Sequence, residues 1–502
     1  MKKKKKIIIV CLISFFAVLS GVGFGVLYVN GYNGLGAVYA IQPGDFYDKV
    51  PYDDYIGTAA DVIPDNLRIY DITNYGAAIA ADAAQNAKAI NAAIESCSDN
   101  GGGIVLVNGG AYSSGTVYLK SNVTLFVKTG SALVASHSFA DFKNAFIKAE
   151  NADNAVITGG GKISGEGEYF LKAPKETHRF EPIAVSDIRT LNSEYRARLR
   201  FGKWGRLSNM VLFDNCQNVY VHDIIIENSM AWTLTARQCG GVLFENLVIN
   251  NNRHAANTDG IDIVGSDGVV VRHTFISTAD DGIVLKNPKA DDMREMKNIR
   301  IYDCKIMTCT NAFKIGSETY GDISDVIVED IEAFTDGIFP GSVAGISIES
   351  MDGARVTDIT IRNFSMSGVT CPLFIRLGNR NRYGKKSYKG EISGITIENV
   401  TAREAELPSI ISGVAKNKNT ALYVKNVTLT NFDIEYRESP ENVILRSKIP
   451  EYKKAYPENW RFGDVPAYGL WARHAEDLTL NSFNVTPRSA NTRKCTVFDD
   501  VI

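Results

Sequence analysis

Residues 257–286 read NTDGIDIVGSDGVVVRHTFISTADDGIVLK, and the stretch contains one short phrase twice. Asp259 opens the phrase DGIDI, and Asp281, which follows Asp280, opens DGIVL 22 residues later. Between the two phrases lies GVVVRHT, in which a turn former is followed by apolar residues at every second position and then by a polar pair. A period of two with many valines and isoleucines predicts β-strands rather than helices.

The intervening phrase recurs along the C-terminal half of the chain. Eight phrases of a turn former and alternating apolar positions begin at Asn218, Gly241, Gly268, Asn298, Asp325, Asp358, Gly394 and Asn426. Their starts are 23 to 36 residues apart, and self-similarity at such a period indicates a solenoid. A propeller would have a steadier period, and a leucine-rich repeat would show its own consensus. We therefore predict an all-β fold, a single-stranded right-handed parallel β-helix.

The N-terminal end of this solenoid differs from its body. Residues 89–97 place apolar side chains at helical spacing, and residues 101–103 are a glycine run that leads into a strand. A short helix there would cap the open end of the apolar core, as terminal repeats must. We predict an N-terminal extension over residues 41–66 and one β-helix domain over residues 67–502. Residues 166–210 interrupt the repeat and are predicted to form a large loop.

The first 40 residues carry an export pattern. Residues 2–6 are all lysine, and residues 7–29 are almost wholly apolar. Such a segment is typical of a signal peptide and is also long enough to span a bilayer. Small residues in AVYA, residues 37–40, favour cleavage after Ala40, and an uncleaved membrane anchor is the alternative. Either way, the rest of the protein is expected to be extracellular, touching a membrane only through this segment.

The composition excludes several classes of partner. The formal net charge is -3 and the pI is about 6.2, so no nucleic-acid partner is expected. Seven cysteines outside the apolar segment are scattered without a CxxC pair, which argues against a disulfide framework or a zinc site. Cys216, Cys239 and Ser266 fall at equivalent places in successive repeats and are predicted to stack inside the solenoid. The chain is expected to be a monomer.

The repeated phrase brings carboxylates together. Residues one coil apart stack roughly 4.7–4.9 Å from each other, which aligns Asp259 with Asp281 and then with Asn311. Asp280 takes the place of Thr258 beside this stack. Like charges so placed repel and raise one another's pKa. A protonated acid beside ionised carboxylates suits glycoside hydrolysis, in which one acid protonates the leaving oxygen and the others orient a water.

Other interpretations of the acids remain open. Calcium takes about six to eight oxygens, often from a looping acidic run, and acids set between glycines and strands fit it less well. A calcium-dependent lyase is nevertheless an alternative. A non-catalytic β-helix adhesin or carbohydrate-binding protein is another, although it leaves the cluster without a purpose.

The phrases NTDGID, DDGIVLK and TNAFKIGSE, in this order, resemble glycoside hydrolase family 28, the polygalacturonase family. ITNYGA and GGGIVLVNGGAY near the start and IPEYKKAYPENWRFGDVPAYGLWARH near the end extend the resemblance over residues 69–502. It implies a pectin-lyase-like solenoid that hydrolyses pectic polysaccharide with inversion, without a metal or a cofactor. By motif position, Asp280 would be the general acid, and Asp259 and Asp281 would hold and deprotonate the water. Inversion implies carboxyl groups about 6.5–9.5 Å apart.

The sequence departs from the family pattern at two motifs. The family's GHG aligns with residues 310–312, so Asn311 replaces the histidine, and its RIK aligns with residues 347–349, so both cations are missing. Lys314 and Arg376, predicted to stack on neighbouring coils, could supply charge instead, whereas Glu349 would repel a uronate. We expect a decorated or partly neutral pectic chain to be preferred over plain homogalacturonan. The substrate-binding candidates are Asn257, Lys286, Asn311, Lys314 and Arg376.

Overall fold

The computed structural model describes residues 45–64, 66–171, 207–289, 294–337, 341–384, 390–415, 420–437, 448–488 and 491–502. The predicted signal peptide or anchor, residues 1–40, lies outside the described residues. The part of the predicted loop over residues 172–206 also lies outside them. Within the described ranges, no helix combines the length and apolar character needed to cross a membrane.

Strands make up most of the described chain. Helix α1 spans Tyr52–Tyr55 and α2 spans Ala83–Asp99, and short 3-10 helices span Ile72–Tyr75, Phe139–Asp141, Gly167–Tyr169 and Asn459–Phe462. The strands β1 to β29 are, in order, Ile69–Asp71, Gly103–Val107, Ala111–Ser114, Val117–Leu119, Val123–Val127, Ala132–Ala135, Ala145–Glu150, Val156–Thr158, Lys162–Ser164, Asn209–Asp214, Gln217–Glu227, Trp232–Arg237, Gly240–Asn250, Ile261–Val264, Asp267–Thr278, Ile283–Asn287, Ile299–Thr308, Asn311–Thr319, Val326–Ala333, Ala344–Ser350, Arg355–Ser367, Cys371–Leu377, Glu391–Ala405, Ser409–Ser412, Val414–Ala415, Ala421–Leu422, Val424–Tyr436, Ala467–Pro487 and Lys494–Val501.

Each coil pairs in parallel with the coils before and after it. One column of strands runs β10, β12, β14, β16, β18, β20, β22 and β24, and the recurring phrases form a second column from β11 to β27. The small antiparallel pair β25 and β26 stands outside this ladder. The parallel β-helix predicted from the repeat is thereby confirmed.

The solenoid interior is a stack of side chains in strict register. Ile261, Ile283, Phe313 and Ile346 follow one another on successive coils, and all are fully buried. Burying side chains of this size stabilises the fold by about 1.5–3 kcal/mol each. The predicted stack of Cys216, Cys239 and Ser266 is present in the core, where the Cys239 amide donates to Ser266 Oγ at 3.0 Å.

Helix α2 closes the N-terminal end, as the sequence predicts. Asp82 caps it by accepting a hydrogen bond from the Gln85 amide at 2.7 Å, because the first amides of a helix have no partner within it. The helix is longer than residues 89–97 and reaches Asp99. Its inner face is buried on the first coils through Asn86, Ala89, Ile90, Ala93, Ile94 and Cys97.

Two terminal segments lie on the outside of the solenoid near the acids. In the N-terminal segment, residues 45–56, Tyr47 stacks on Phe275 with ring centroids 5.8 Å apart, and Asp45 lies 3.2 Å from His254. The C-terminal strap, residues 448–465, covers coils that follow the acidic phrases. Its Phe462 packs against Trp471 with ring centroids 5.5 Å apart.

Candidate active site

The three aspartates lie just before strands β14 and β16, at the N-terminal ends of these neighbouring strands. Ile261 pairs with Ile283, which aligns Asp259 with Asp281 on the next coil. Each of Asp259, Asp280 and Asp281 offers one carboxylate oxygen, and these oxygens all lie within 4.8 Å of one another. The predicted cluster is therefore present. Its closest approaches are shorter than the separation of about 6.5–9.5 Å that inversion calls for.

The glycine after each aspartate allows this closeness. A Cβ atom on Gly260 would lie 2.6 Å from the carbonyl oxygen of Gly282 and 2.7 Å from Ile276 Cγ2. A Cβ atom on Gly282 would lie 2.5 Å from Ile306 Cγ2. Side chains at these two positions would force the coils apart. Within residues 257–286 the phrase DGI occurs twice because the aspartate carries the acid and the glycine after it leaves room for the neighbouring coil.

Asp280 is surrounded by uncharged donors. Its carboxylate accepts from the Asn257 amide at 2.9 Å, from the Asp281 amide at 3.0 Å and from Thr310 Oγ1 at 3.3 Å. Burial and the neighbouring charges of Asp259 and Asp281 raise the pKa of Asp280 to about 7. A carboxyl group with such a pKa still holds its proton close to neutral pH and can donate it.

Asp281 has the opposite environment. It accepts from Asn311 Nδ2 at 2.7 Å, and Lys314 Nζ lies 3.1 Å from its other oxygen. Burial acts to raise the pKa of Asp281, but the ammonium groups of Lys314 and Lys286 outweigh burial and hold it below the usual value. Asp281 is therefore ionised at neutral pH, and it can accept a proton or orient a water molecule.

Asp259 is tied to a second lysine. Lys286 Nζ lies 2.8 Å from Asp259 Oδ2 and 2.6 Å from Asp262 Oδ1, with the Trp232 ring centroid 3.7 Å away. Burial raises the pKa of Asp259 to about 7 in spite of Lys286. The charge of Asp259 in turn raises the pKa of Asp280. The contact with Lys286 favours the charged form of Asp259, whereas no lysine bonds to Asp280 among the described residues.

Two members of the site were not singled out from the sequence. Asp262 is completely buried and faces Lys286, and the alternation in GIDIV could have placed it on the same outward face as the cluster. Tyr456 comes from the C-terminal strap, and its hydroxyl lies 3.3 Å from Lys314 Nζ. No local signal links two residues that are 142 positions apart.

The predicted stack of Lys314 and Arg376 is wrong. Lys314 pairs with Ser347, whereas Glu349 pairs with Arg376, so strand β20 separates the two cations and they stand at different positions along the strand. Arg376 Nη1 donates to Ser412 Oγ at 2.7 Å and to the Gly413 carbonyl at 2.6 Å. Arg376 thus holds backbone together, and of these two cations it is Lys314 that contacts an aspartate of the cluster.

Glu349 differs from the expectation in its charge. It is 1% exposed, one oxygen accepts from Ser347 Oγ at 2.9 Å, and Oε2 has no hydrogen-bond partner among the described residues. Burial raises the pKa of Glu349 to about 8, although Lys314 acts against it. The group is mostly neutral at pH 7, so the expected repulsion of a uronate applies only at higher pH. Its free oxygen can exchange a hydrogen bond with a hydroxyl.

A parallel β-helix with a protonated acid beside two lysine-paired carboxylates has the architecture of a glycoside hydrolase. Residues 97–447 match the family described as Glycosyl hydrolases family 28. This chain belongs to that family, as the sequence motifs indicate.

Relatives and solved structures agree with this assignment. An endo-polygalacturonase of Pectobacterium carotovorum subsp. carotovorum is 26% identical over 372 residues, which cover 70% of this chain and 86% of the relative. The fold resembles an exopolygalacturonase of Yersinia enterocolitica at a TM-score of 0.61 and 19% identity, covering 87% of this chain and 78% of that one. A Thermotoga maritima exopolygalacturonase gives a TM-score of 0.60 at 21% identity, with 84% and 93% covered.

Proposed function

We propose that this chain hydrolyses glycosidic bonds of pectic polysaccharide, with Asp280 as general acid and with Asp259 and Asp281 positioning and deprotonating the water. The observation that carries the proposal is the division of charge within the cluster. Lys286 and Lys314 pair with Asp259 and Asp281, whereas the hydrogen-bond donors to Asp280 among the described residues are uncharged and its pKa is raised to about 7. Family membership and the polygalacturonase relatives support the substrate class.

The proposed reaction is a single displacement. Asp280 gives its proton to the glycosidic oxygen as the bond to the anomeric carbon breaks, so the leaving sugar departs as an alcohol. The water, held between Asp259 and Asp281, attacks the anomeric carbon from the opposite face and passes one proton to one of these two carboxylates. Lys314 keeps Asp281 ionised before the reaction, and Lys286 favours the ionised form of Asp259. Asn257, Asn311 and Thr310 fix the orientation of the acids through the hydrogen bonds described above.

Inversion is part of the proposal, and it can be measured directly. Nuclear magnetic resonance during the first turnovers should show a product whose anomeric configuration is opposite to that of the bond cleaved. Because the nearest oxygens of the cluster lie within 4.8 Å, a retained configuration is the informative alternative. It would indicate a nucleophilic carboxylate in place of a held water.

The lysines argue against a calcium-dependent lyase. A calcium ion at the three aspartates would stand next to two ammonium groups, at 2.8 Å and 3.1 Å from the same carboxylates. These two ammonium groups oppose the binding of a divalent cation there. We expect activity to be unchanged by a chelator and the products to lack the double bond that elimination would leave.

The decisive experiment is a product assay on a panel of pectic polymers, comparing the wild type with Asp280→Asn. Asn has no proton of suitable acidity, and loss of general acid catalysis costs about 10²–10⁴-fold in rate. Asp330→Asn, at an exposed position of strand β19 where the side chain meets Asn363, is the matched control and should keep full activity. Circular dichroism should be the same for all three proteins. Failure of the wild type to cleave any pectic polymer would overturn the proposal.

We also propose that the protein is exported and that residues 67–502 act as one catalytic domain. The support is the lysine run and the apolar segment over residues 2–29. Cell fractionation and N-terminal sequencing of the secreted protein would distinguish cleavage after Ala40 from retention on the membrane. Recovery of the whole chain in the cytoplasm would contradict export.

A further inference from the structure

The functional groups of the site follow one another along the solenoid axis. Asp259 precedes β14, Asp281 precedes β16, and Lys314 lies on β18, three coils in succession. Coils are spaced by roughly 4.7–4.9 Å. A saccharide chain that contacts all three groups must run along the axis and cross the coils.

The C-terminal strap occupies the outer face of the coils that follow Lys314. Phe374, Ile410 and Trp471 are successive residues of this face, and apolar side chains of the strap bury all three. Phe462 lies at the centre of the contact, with ring centroids 6.2 Å from Phe374 and 5.5 Å from Trp471. These coils therefore present no open groove to a sugar.

Hydrogen bonds fix the strap to four separate places on the coils. Arg376 donates to the Glu451 carbonyl, Arg473 to the Ile449 carbonyl at 2.9 Å, the Asn379 amide to the Lys453 carbonyl at 2.7 Å, and Asn459 Nδ2 to the Val343 carbonyl at 2.6 Å. The attachments lie on both sides of Tyr456, so the chain runs towards the aspartates, turns and runs back. Tyr456 forms the tip of the strap.

The tip ends at the catalytic cluster. Tyr456 OH is 3.3 Å from Lys314 Nζ, and Lys314 Nζ is 3.1 Å from Asp281. Tyr456 remains 41% exposed, so its ring forms a wall that faces solvent. Beyond the coil of Asp281, a bound chain thus has about one coil spacing before it meets the strap.

We propose that the strap closes one end of the substrate cleft, so that the enzyme removes short units from a chain end and does not cut in the middle of a chain. A cut in mid-chain requires the polymer to continue on both sides of the bond, and the strap blocks one of these directions. The inference rests on the proposed hydrolase function and adds the position of the cut within the polymer.

The test uses the full-length protein and a pectic polymer that the panel assay has shown it to cleave. At the first few turnovers, we expect a single short product by chromatography and a slow fall in viscosity relative to the release of reducing ends. A ladder of product sizes with a rapid fall in viscosity would overturn the closed end while leaving the hydrolase in place. If the protein cleaves no pectic polymer, the proposed function fails, and this inference with it.

Tyr456→Ala tests the strap itself. Shortening the tip opens the cleft beyond Lys314, so the share of longer products at early times should rise several-fold. Tyr118→Ala, which removes a tyrosine of similar exposure on β4, is the matched control and should leave the product pattern unchanged. An identical product pattern in Tyr456→Ala and the wild type would contradict the assigned role of the tip.

Discussion

At the scale of single residues, the site depends on which carboxylate carries the proton. Asp280 and Asp281 are neighbours in sequence and are both largely buried, yet the pKa of one is raised and that of the other is lowered. Burial acts in the same direction on both, so the difference comes from their partners. Lys314 stands against Asp281, whereas Asp280 meets amides and a hydroxyl.

The pH dependence of activity should follow this division. Because the pKa of Asp280 is raised to about 7, its protonated form is lost as the pH rises through that value, and kcat/KM should fall above about pH 7. Asp259→Asn removes one of the charges that raise this pKa. We expect the residual activity of Asp259→Asn to decline at a lower pH than that of the wild type. A decline at the same pH in both proteins would contradict the coupling of Asp259 and Asp280.

Glu349 offers a test of substrate preference. A lysine at this position would restore a cation where the family pattern has one, and its charge would add to that of Lys314 at the closed end of the cleft. We expect Glu349→Lys to lower KM for homogalacturonan and to raise it for partly neutral chains, with kcat changed less. Glu349→Gln keeps the size and the neutral form, so it should retain the wild-type preference at pH 7. Equal preference in Glu349→Lys and the wild type would show that this position does not select the sugar.

The sequence predicted the aspartate cluster because its geometry is local to two coils. One coil of separation and one repeated phrase were enough to place Asp259 beside Asp281. The protonation states could not be predicted, because they depend on which lysine reaches which carboxylate. The burial of Glu349 could not be predicted either. The repeat places this side chain on the outer face, and its burial depends on which other parts of the chain pack around it.

At the scale of elements, the strap depends on arginines that reach out from the coils. Arg376 binds the Gly413 and Glu451 carbonyls, and its guanidinium lies 5.3 Å from the Phe462 ring. The sequence predicted Arg376 as a substrate ligand because it lies on the outward face of its strand. It could not show that another segment of the chain covers that face.

Replacing Arg376 tests this structural role. Arg376→Met leaves buried carbonyls without a donor, and hydrogen bonds to a charged group contribute about 1.5–3 kcal/mol. We expect the free energy of unfolding to fall by about 2–4 kcal/mol in denaturant titrations. Arg362→Met is the control, because Arg362 makes an exposed ion pair with Glu329 at 3.5 Å, which contributes about 0–1 kcal/mol. Equal stability of the two variants would contradict the role of Arg376.

At the scale of the whole molecule, the solenoid was predictable because each coil is specified by its own sequence. Alternating strands and turn formers recur in every repeat, and asparagines link the turns, as where Asn431 Nδ2 donates to Asn399 Oδ1 at 2.9 Å. Residues 166–210 broke the pattern and gave only the expectation of a loop. Contacts between distant segments, such as that of Tyr456 with Lys314, do not recur from coil to coil, so no pattern in the sequence indicated them.

The cap helix α2 protects the open end of this stack. Ile94 is fully buried between the helix and the first coils. Ile94→Ala should lower the free energy of unfolding by about 2–5 kcal/mol, through lost burial and the cavity left behind. It should also increase association of molecules through the loosened end, measured by light scattering on mild heating. Ile79→Ala, at a site 59% exposed, is the control and should change neither property.

The two stacked glycines, Gly260 and Gly282, have a consequence for redesign. The gap between Asp259 and Asp281 is set by the thickness of bare backbone, since nothing larger than hydrogen fits beside either acid. Rotating or exchanging side chains can adjust the charge of the site but hardly its width. An engineer who wants a wider catalytic gap, for example to make room for a bulkier nucleophile than water, has to insert or remove chain between the coils.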